Sequence, residues 1–134
     1  MRTQEFFLKT APEGMYDITS TVRQCIRESG VRSGLCTVYC PHTTAGITIN
    51  ENADPDVQHD MLLGLREAFP DRHVFRHAEG NSHAHLKSSA MNPAQTILIE
   101  DGQPVLGTWQ GIYFCEFDGP RSRRYFIKIT RDPD

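Results

Sequence analysis

The chain has 134 residues, which suits one domain around one core and leaves too little for a second folding unit. Its 14 Lys+Arg stand against 17 Asp+Glu, so no global field favours nucleic acid or an anionic membrane. No apolar run approaches the roughly 20 residues of a membrane helix, and the start MRTQEFFLKT lacks the apolar stretch of a signal peptide, so a cytoplasmic location is expected.

TQEFFLKT predicts a first strand from its aromatic and aliphatic residues. MYDITSTVRQCIRESG predicts a helix: Ile18, Val22, Cys25 and Ile26 share one face, Asp17 can cap the start and Gly30 can end it. GLCTVYC predicts a second strand that Pro41 interrupts, and AGITINE continues extended. DPDVQHDMLLGLREAFP is the clearest helix. Asp54 suits the cap, Pro55 the first position and Pro70 the stop, with Val57, Met61, Leu62, Leu65 and Phe69 as the apolar stripe.

The segment MNPAQTILIEDGQPVLGTWQGIYFCEFDGPRSRRYFIKIT is rich in strand residues, with turns at Asp101-Gly102 and Asp118-Gly119. The expectation is two antiparallel hairpins, over Leu98–Val105 and Phe114–Phe126. Strands that bunch at the C-terminal end, without regular alternation with helices, predict a single α+β domain spanning 1–134, with mainly antiparallel sheets and flanking helices. Cys25, Cys36, Cys40 and Cys115 form no CxxC pair and are expected to be buried thiols.

Polar chemistry concentrates in HAEGNSHAH, residues 77–85, where three histidines lie close together, and in PHTTAGITINE, which carries His42. Imidazole is a common metal ligand. His83 and His85 would lie on one side of an extended segment, while a turn at Gly80-Asn81 could fold His77 and His85 together. Three imidazoles from His42, His77 and His85 would leave a divalent ion one open position. Zinc is the first choice and another first-row metal would also fit. Whether His83 and Glu79 also ligate stays open; Glu79 and Asn81 could instead orient the ligand rings. His59 and His73 are expected to be ordinary histidines.

The blocks PHTTAGITINENADPDVQHDM, HAEGNSHAHLKSSAMN and GTWQGIYFCEFDGPRSRRYFIKI resemble the YjbQ-type family, also called the secondary thiamine-phosphate synthase family. The resemblance implies a compact α+β fold with an antiparallel β-sandwich-like core, a homotrimer, and a polar pocket near subunit contacts. It carries recurrent polar positions onto His42, Thr43, Thr44, Glu51, His77, Asn81, His85, Trp109, Gln110 and Arg121. On that basis Glu51 and Gln110 are candidate catalytic groups, Thr43, Thr44, Asn81 and Arg121 are candidate substrate contacts, and His42, His77 and His85 are candidate metal ligands. Trp109 is expected in the core or at an interface, and Lys87 on the surface. Of the basic turn, Arg121 is expected to organise the pocket or bind an anion, with Arg123 and Arg124 mattering less and Glu116 and Asp118 as alternative partners.

The family's name implies a transferase that joins a pyrimidine diphosphate to a thiazole phosphate with loss of pyrophosphate. The chain has no GxxxxGK loop and is too short for a (β/α)8 barrel. Three readings follow: an enzyme acting on a small anionic or phosphorylated metabolite, a metal-assisted hydrolase, and a non-catalytic trimeric binding module.

Overall fold

The computed structural model describes residues 3–134. The elements are β1 (Thr3–Lys9), β2 (Gly14–Asp17), α1 (Thr19–Ser29), β3 (Gly34–Tyr39), β4 (Ala45–Glu51), α2 (Pro55–Ala68), α3 (Ser82–Met91), β5 (Ala94–Glu100), β6 (Gln103–Pro104), β7 (Gln110–Glu116) and β8 (Ser122–Arg131). A five-stranded sheet runs β1-β8-β3-β5-β6, and a three-stranded sheet runs β2-β7-β4. Every strand pair is antiparallel, as the α+β expectation requires.

The two sheets face each other across the main core. Cys36, Val38, Ile97, Ile99 and Ile127 from the large sheet meet Ala45, Ile47, Ile112 and Phe114 from the small one. Helix α1 closes this core with Val22, Cys25 and Ile26, the face predicted from their spacing. On the other side of the small sheet, Tyr113, Cys115 and Phe117 pack against α2 through Leu62 and Leu65, and against α3 through Ala84 and Met91. Strand β7 is therefore covered on both faces, so its sequence shows no alternation.

Several local expectations hold for physical reasons. Gly30 ends α1 in the left-handed conformation at φ 71°. Asp54 accepts the Asp56 N–H at 2.9 Å and Pro55 opens α2. Asp101 and Gly102, at φ 52° and 73°, turn β5 into β6.

Four expectations are corrected. Residues 15–17, expected within the first helix segment, belong instead to strand β2, because Met15 pairs with Cys115 in the small sheet. Asp17 still anchors the helix start: it accepts the Thr19 N–H at 2.9 Å and the Thr19 hydroxyl at 2.6 Å. Residues 82–91 form helix α3, so His83 and His85 point about 200° apart rather than to one side. Leu98–Val105 does form a hairpin, but Phe114–Phe126 does not: β7 is the centre of the small sheet and β8 belongs to the large one. Lys87 is buried, 2 % exposed, with Nζ 3.5 Å from Glu13 Oε2.

Candidate functional site

The turn into β4 and the start of α3 form one wall of an open cleft of about 380 Å³. Pro41 has no N–H to continue the ladder with β8, and the chain leaves the large sheet there. The His42 ring takes the vacated place. Its Nε2 lies 3.0 Å from the Arg124 N and 3.1 Å from the Arg124 O, so only Nδ1 remains for the cleft. Burial, and then the nearby Arg123 guanidinium, hold His42 below the usual imidazole range.

Helix α3 is fixed against β4 by close approach. The Ser88 hydroxyl donates to the Ala45 carbonyl at 2.6 Å, and a Cβ on Gly46 would stand 2.9 Å from the Asn92 carbonyl oxygen. That contact brings His85 and Asn81 beside Thr43 and Thr44. The preceding loop turns at Gly80, φ 72°, and returns His77 to His85, with ring centroids 5.5 Å apart and planes at 81°. The expected convergence of these two imidazoles around the turn is therefore present.

The opposite wall comes from the link between β7 and β8. Glu116 is fully buried and accepts from Arg123 Nε at 2.8 Å and Nη2 at 2.5 Å, from the Thr10 hydroxyl at 2.5 Å and from the Asp118 N–H at 3.0 Å. Burial alone would raise its pKa, but these donors outweigh it and hold the carboxyl below its usual range. Arg123 also donates to the Thr44 hydroxyl oxygen at 2.8 Å. Arg121 donates Nε to the Asp118 carbonyl at 2.7 Å and Nη2 to the Asp118 carboxylate at 2.9 Å; Nη1 has no acceptor among the described residues. Asp118 also accepts from Asn81 Nδ2 at 2.7 Å. Against the rise from burial, Asn81 and Arg121 keep its carboxyl low.

Seven of the predicted residues thus line one cleft: His42, Thr43, Thr44, His77, Asn81, His85 and Arg121. Two do not. Glu51 pairs with Gln110 at the far end of β4, about 20 Å along the strand from Ala45. The Gln110 side chain accepts from the Gly107 N–H instead. Trp109 is 63 % exposed, so within one chain it is not a core residue. Arg123, ranked below Arg121 from sequence, is buried in the cleft wall at 5 % exposure. Asp118 and Glu116 organise the basic turn; their alternation with the arginines in CEFDGPRSRR was the available signal.

The metal expectation meets a geometric difficulty. Among the described residues, no three His, Cys, Asp or Glu side chains are arranged to hold an ion. One nitrogen of His42 is occupied by the main chain, and Glu79 Oε1 is 3.9 Å from His77 Nε2. The four cysteines are buried and free, with Cys40 pushed up to about 11 and Cys36 and Cys115 to about 12 by burial, so none is poised as a thiolate.

The family model described as "UPF0047 protein YjbQ-like" matches residues 4–132. The chain belongs to the UPF0047 YjbQ-like family. Among its members, UPF0047 protein YugU of Bacillus subtilis is 55% identical over 121 residues, covering 90% of this chain and 92% of YugU. A YjbQ/UPF0047 family protein of Clostridium acetobutylicum has a crystal structure that is 56% identical, with a TM-score of 0.93, over 95% of this chain and 99% of the other. A protein of unknown function from Sulfolobus solfataricus, described as "YbjQ-like", is 30% identical and also reaches a TM-score of 0.93, over 98% and 97% of the two chains. The fold is thus kept at 30% identity. No helix among the described residues is long and apolar enough to cross a membrane.

Proposed function

We propose that the cleft binds a small anionic metabolite, a phosphorylated one first, and that His77 and His85 act on it as an acid–base pair. The observation that carries this reading is the meeting of imidazoles, threonine hydroxyls and Arg121 in one open cleft from three separate stretches of chain. Asp118 holds one side of the Arg121 fork, which leaves Nη1 for an oxyanion. Two imidazoles in edge contact, 5.5 Å between ring centroids, can serve as general acid and general base. The named candidate reaction is transfer of a pyrimidine to a thiazole phosphate with pyrophosphate leaving; an assay for thiamine phosphate that finds no product removes that reaction without removing anion binding.

Calorimetric titration with inorganic pyrophosphate tests the reading. Arg121→Lys keeps the charge and loses the planar fork, so affinity should fall several-fold. Identical affinity in both proteins would overturn the role given to Arg121.

A second reading, a divalent metal with zinc first, is supported by the His77–His85 contact. It requires a third donor to move in, Glu79 or His42. Zinc titration of His42→Ala, His77→Ala and His85→Ala, with His59→Ala as control, decides it: unchanged affinity in all three variants removes the metal. We also propose assembly as a homotrimer. Phe7, Leu35, Tyr39 and Leu98 lie exposed on the outer face of the large sheet and support burial between copies.

A further inference from the structure

The register that pairs Tyr39 with Phe126 would place Pro41, which has no N–H, opposite Arg124. The His42 ring takes over that ladder position, with Nε2 3.0 Å from the Arg124 N and 3.1 Å from the Arg124 O. One nitrogen cannot serve both. The Arg124 N–H always carries its hydrogen and is aimed at Nε2, so it is satisfied only when Nε2 is the bare, accepting nitrogen. The opposite tautomer would set two N–H groups head to head and orphan a backbone donor, a rarer outcome than a carbonyl short of one bond. The bond at Nε2 therefore decides the tautomer, and the proton of the neutral ring sits on Nδ1. Burial and the Arg123 guanidinium favour that neutral ring.

Nδ1 is left over. Among the described residues, the buried side-chain atoms without a partner are Asn81 Oδ1 and His83 Nδ1. His42 Nδ1 has no partner there either but is not one of these buried atoms, so it reaches solvent. The open space that His42 borders is the cleft it shares with Thr43, Thr44 and Arg121.

Resting on the anion-binding reading above, we infer that His42 is a binding residue of the cleft in a fixed neutral tautomer, donating its Nδ1–H to an oxygen of the anion. Arg121 Nη1 supplies the charge, and His42 supplies a donor already in place, so no proton has to move when the anion arrives. A metal on Nδ1 would drive that proton to Nε2, against the Arg124 N–H, so the same bond works against His42 as the third donor of the zinc reading.

The test is a two-bond proton–nitrogen correlation spectrum of the histidine side chains in the full chain at neutral pH, with and without inorganic pyrophosphate, beside calorimetric titration of wild type and His42→Gln. The glutamine oxygen can still accept the Arg124 N–H, but nothing replaces Nδ1–H. In the free chain Nε2 should resonate as a bare nitrogen and Nδ1 as a protonated one. Saturating pyrophosphate should move Nδ1, and His42→Gln should weaken binding about 10-fold to 150-fold, the range for a hydrogen bond to a charged group. A protonated Nε2 in the free chain overturns the inference. So does an Nδ1–H that bound pyrophosphate leaves unmoved, or wild-type affinity in His42→Gln, and each of these leaves the anion site standing. No pyrophosphate binding by the wild-type chain overturns the anion site itself and the donor role with it. The wild-type spectra decide the tautomer and the contact even if His42→Gln does not fold.

Discussion

Arg123→Met is the substitution whose cost follows most directly from the cleft wall. Arg123 is 5 % exposed and Glu116 is fully buried, and the guanidinium supplies two of the four donors on that carboxylate. Methionine fills much of the volume but leaves a buried carboxylate without its cation. Breaking a buried pair in this way costs about 3–5 kcal/mol, a large part of the roughly 5–15 kcal/mol that holds a small domain together. Glu116→Leu should cost a similar amount, because the arginine is then the uncompensated charge. The double variant Arg123→Met/Glu116→Leu removes both charges. It leaves the Asp118 N–H and the Thr44 hydroxyl short of a partner, at about 1 kcal/mol each, while the Thr10 hydroxyl keeps the Arg121 carbonyl at 3.2 Å, so it should be no less stable than either single variant.

The same pair has a pH signature. Glu116 is depressed in the folded chain, so its contribution is complete above its ordinary value of 4.5 and is lost as pH falls through the lower folded value. Arg123→Met should remove that acid-labile contribution. Urea unfolding of the four proteins at pH 7, and in a series continued downward from pH 4.5 until the stability difference between wild type and Arg123→Met stops changing, measures both effects. Single costs below about 1 kcal/mol, or costs that simply add in the double variant, would refute the reasoning.

Three further outcomes are expected. The folded His42 pKa is depressed, so its contribution is complete above its ordinary value of 6.5 and falls away as pH drops through the folded value; thermal melts of His42→Asn should lack that phase, and identical pH profiles would contradict it. Gly46→Ala would place a Cβ 2.9 Å from the Asn92 oxygen and 3.0 Å from Met91 Cβ, so it should cost about 1–3 kcal/mol in urea unfolding and weaken pyrophosphate binding by shifting α3; wild-type values for both would show that the approach is not tight. Leu98→Glu should convert the proposed trimer to monomer in sedimentation velocity with an unchanged circular dichroism spectrum, and a wild-type protein already monomeric at micromolar concentration would remove the assembly.

What could be read in the sequence follows from how one-sided each burial is. Helix α1 buries one apolar face and β8 alternates, so both were legible. Helix α3 was not, because the residues it turns inward are Ala84, Lys87, Ser88 and Met91, at helical spacing but without apolar contrast. Strand β7 is buried on both faces, which hid its place between β2 and β4 and made β7–β8 look like a hairpin. For the cleft, the histidine cluster and PHTT were visible as composition, and Asp118 was visible as a partner for Arg121. The burial of Arg123 was not visible, since it depends on Glu116, Thr10 and Thr44 arriving from three strands or their ends. Glu51 and Gln110 do share a place, but it is the opposite end of the small sheet.

The most direct measurement of the central claim is residue-by-residue mapping of pyrophosphate binding in the amide NMR spectrum of the full chain. Shifts should centre on Thr43, Thr44, Asn81 to His85 and Arg121, with Glu51, His59 and Gln110 unmoved. Saturable shifts centred elsewhere, such as the cleft of Gly30, Arg32 and Arg131 beside the C-terminal segment, would contradict the assignment of this site.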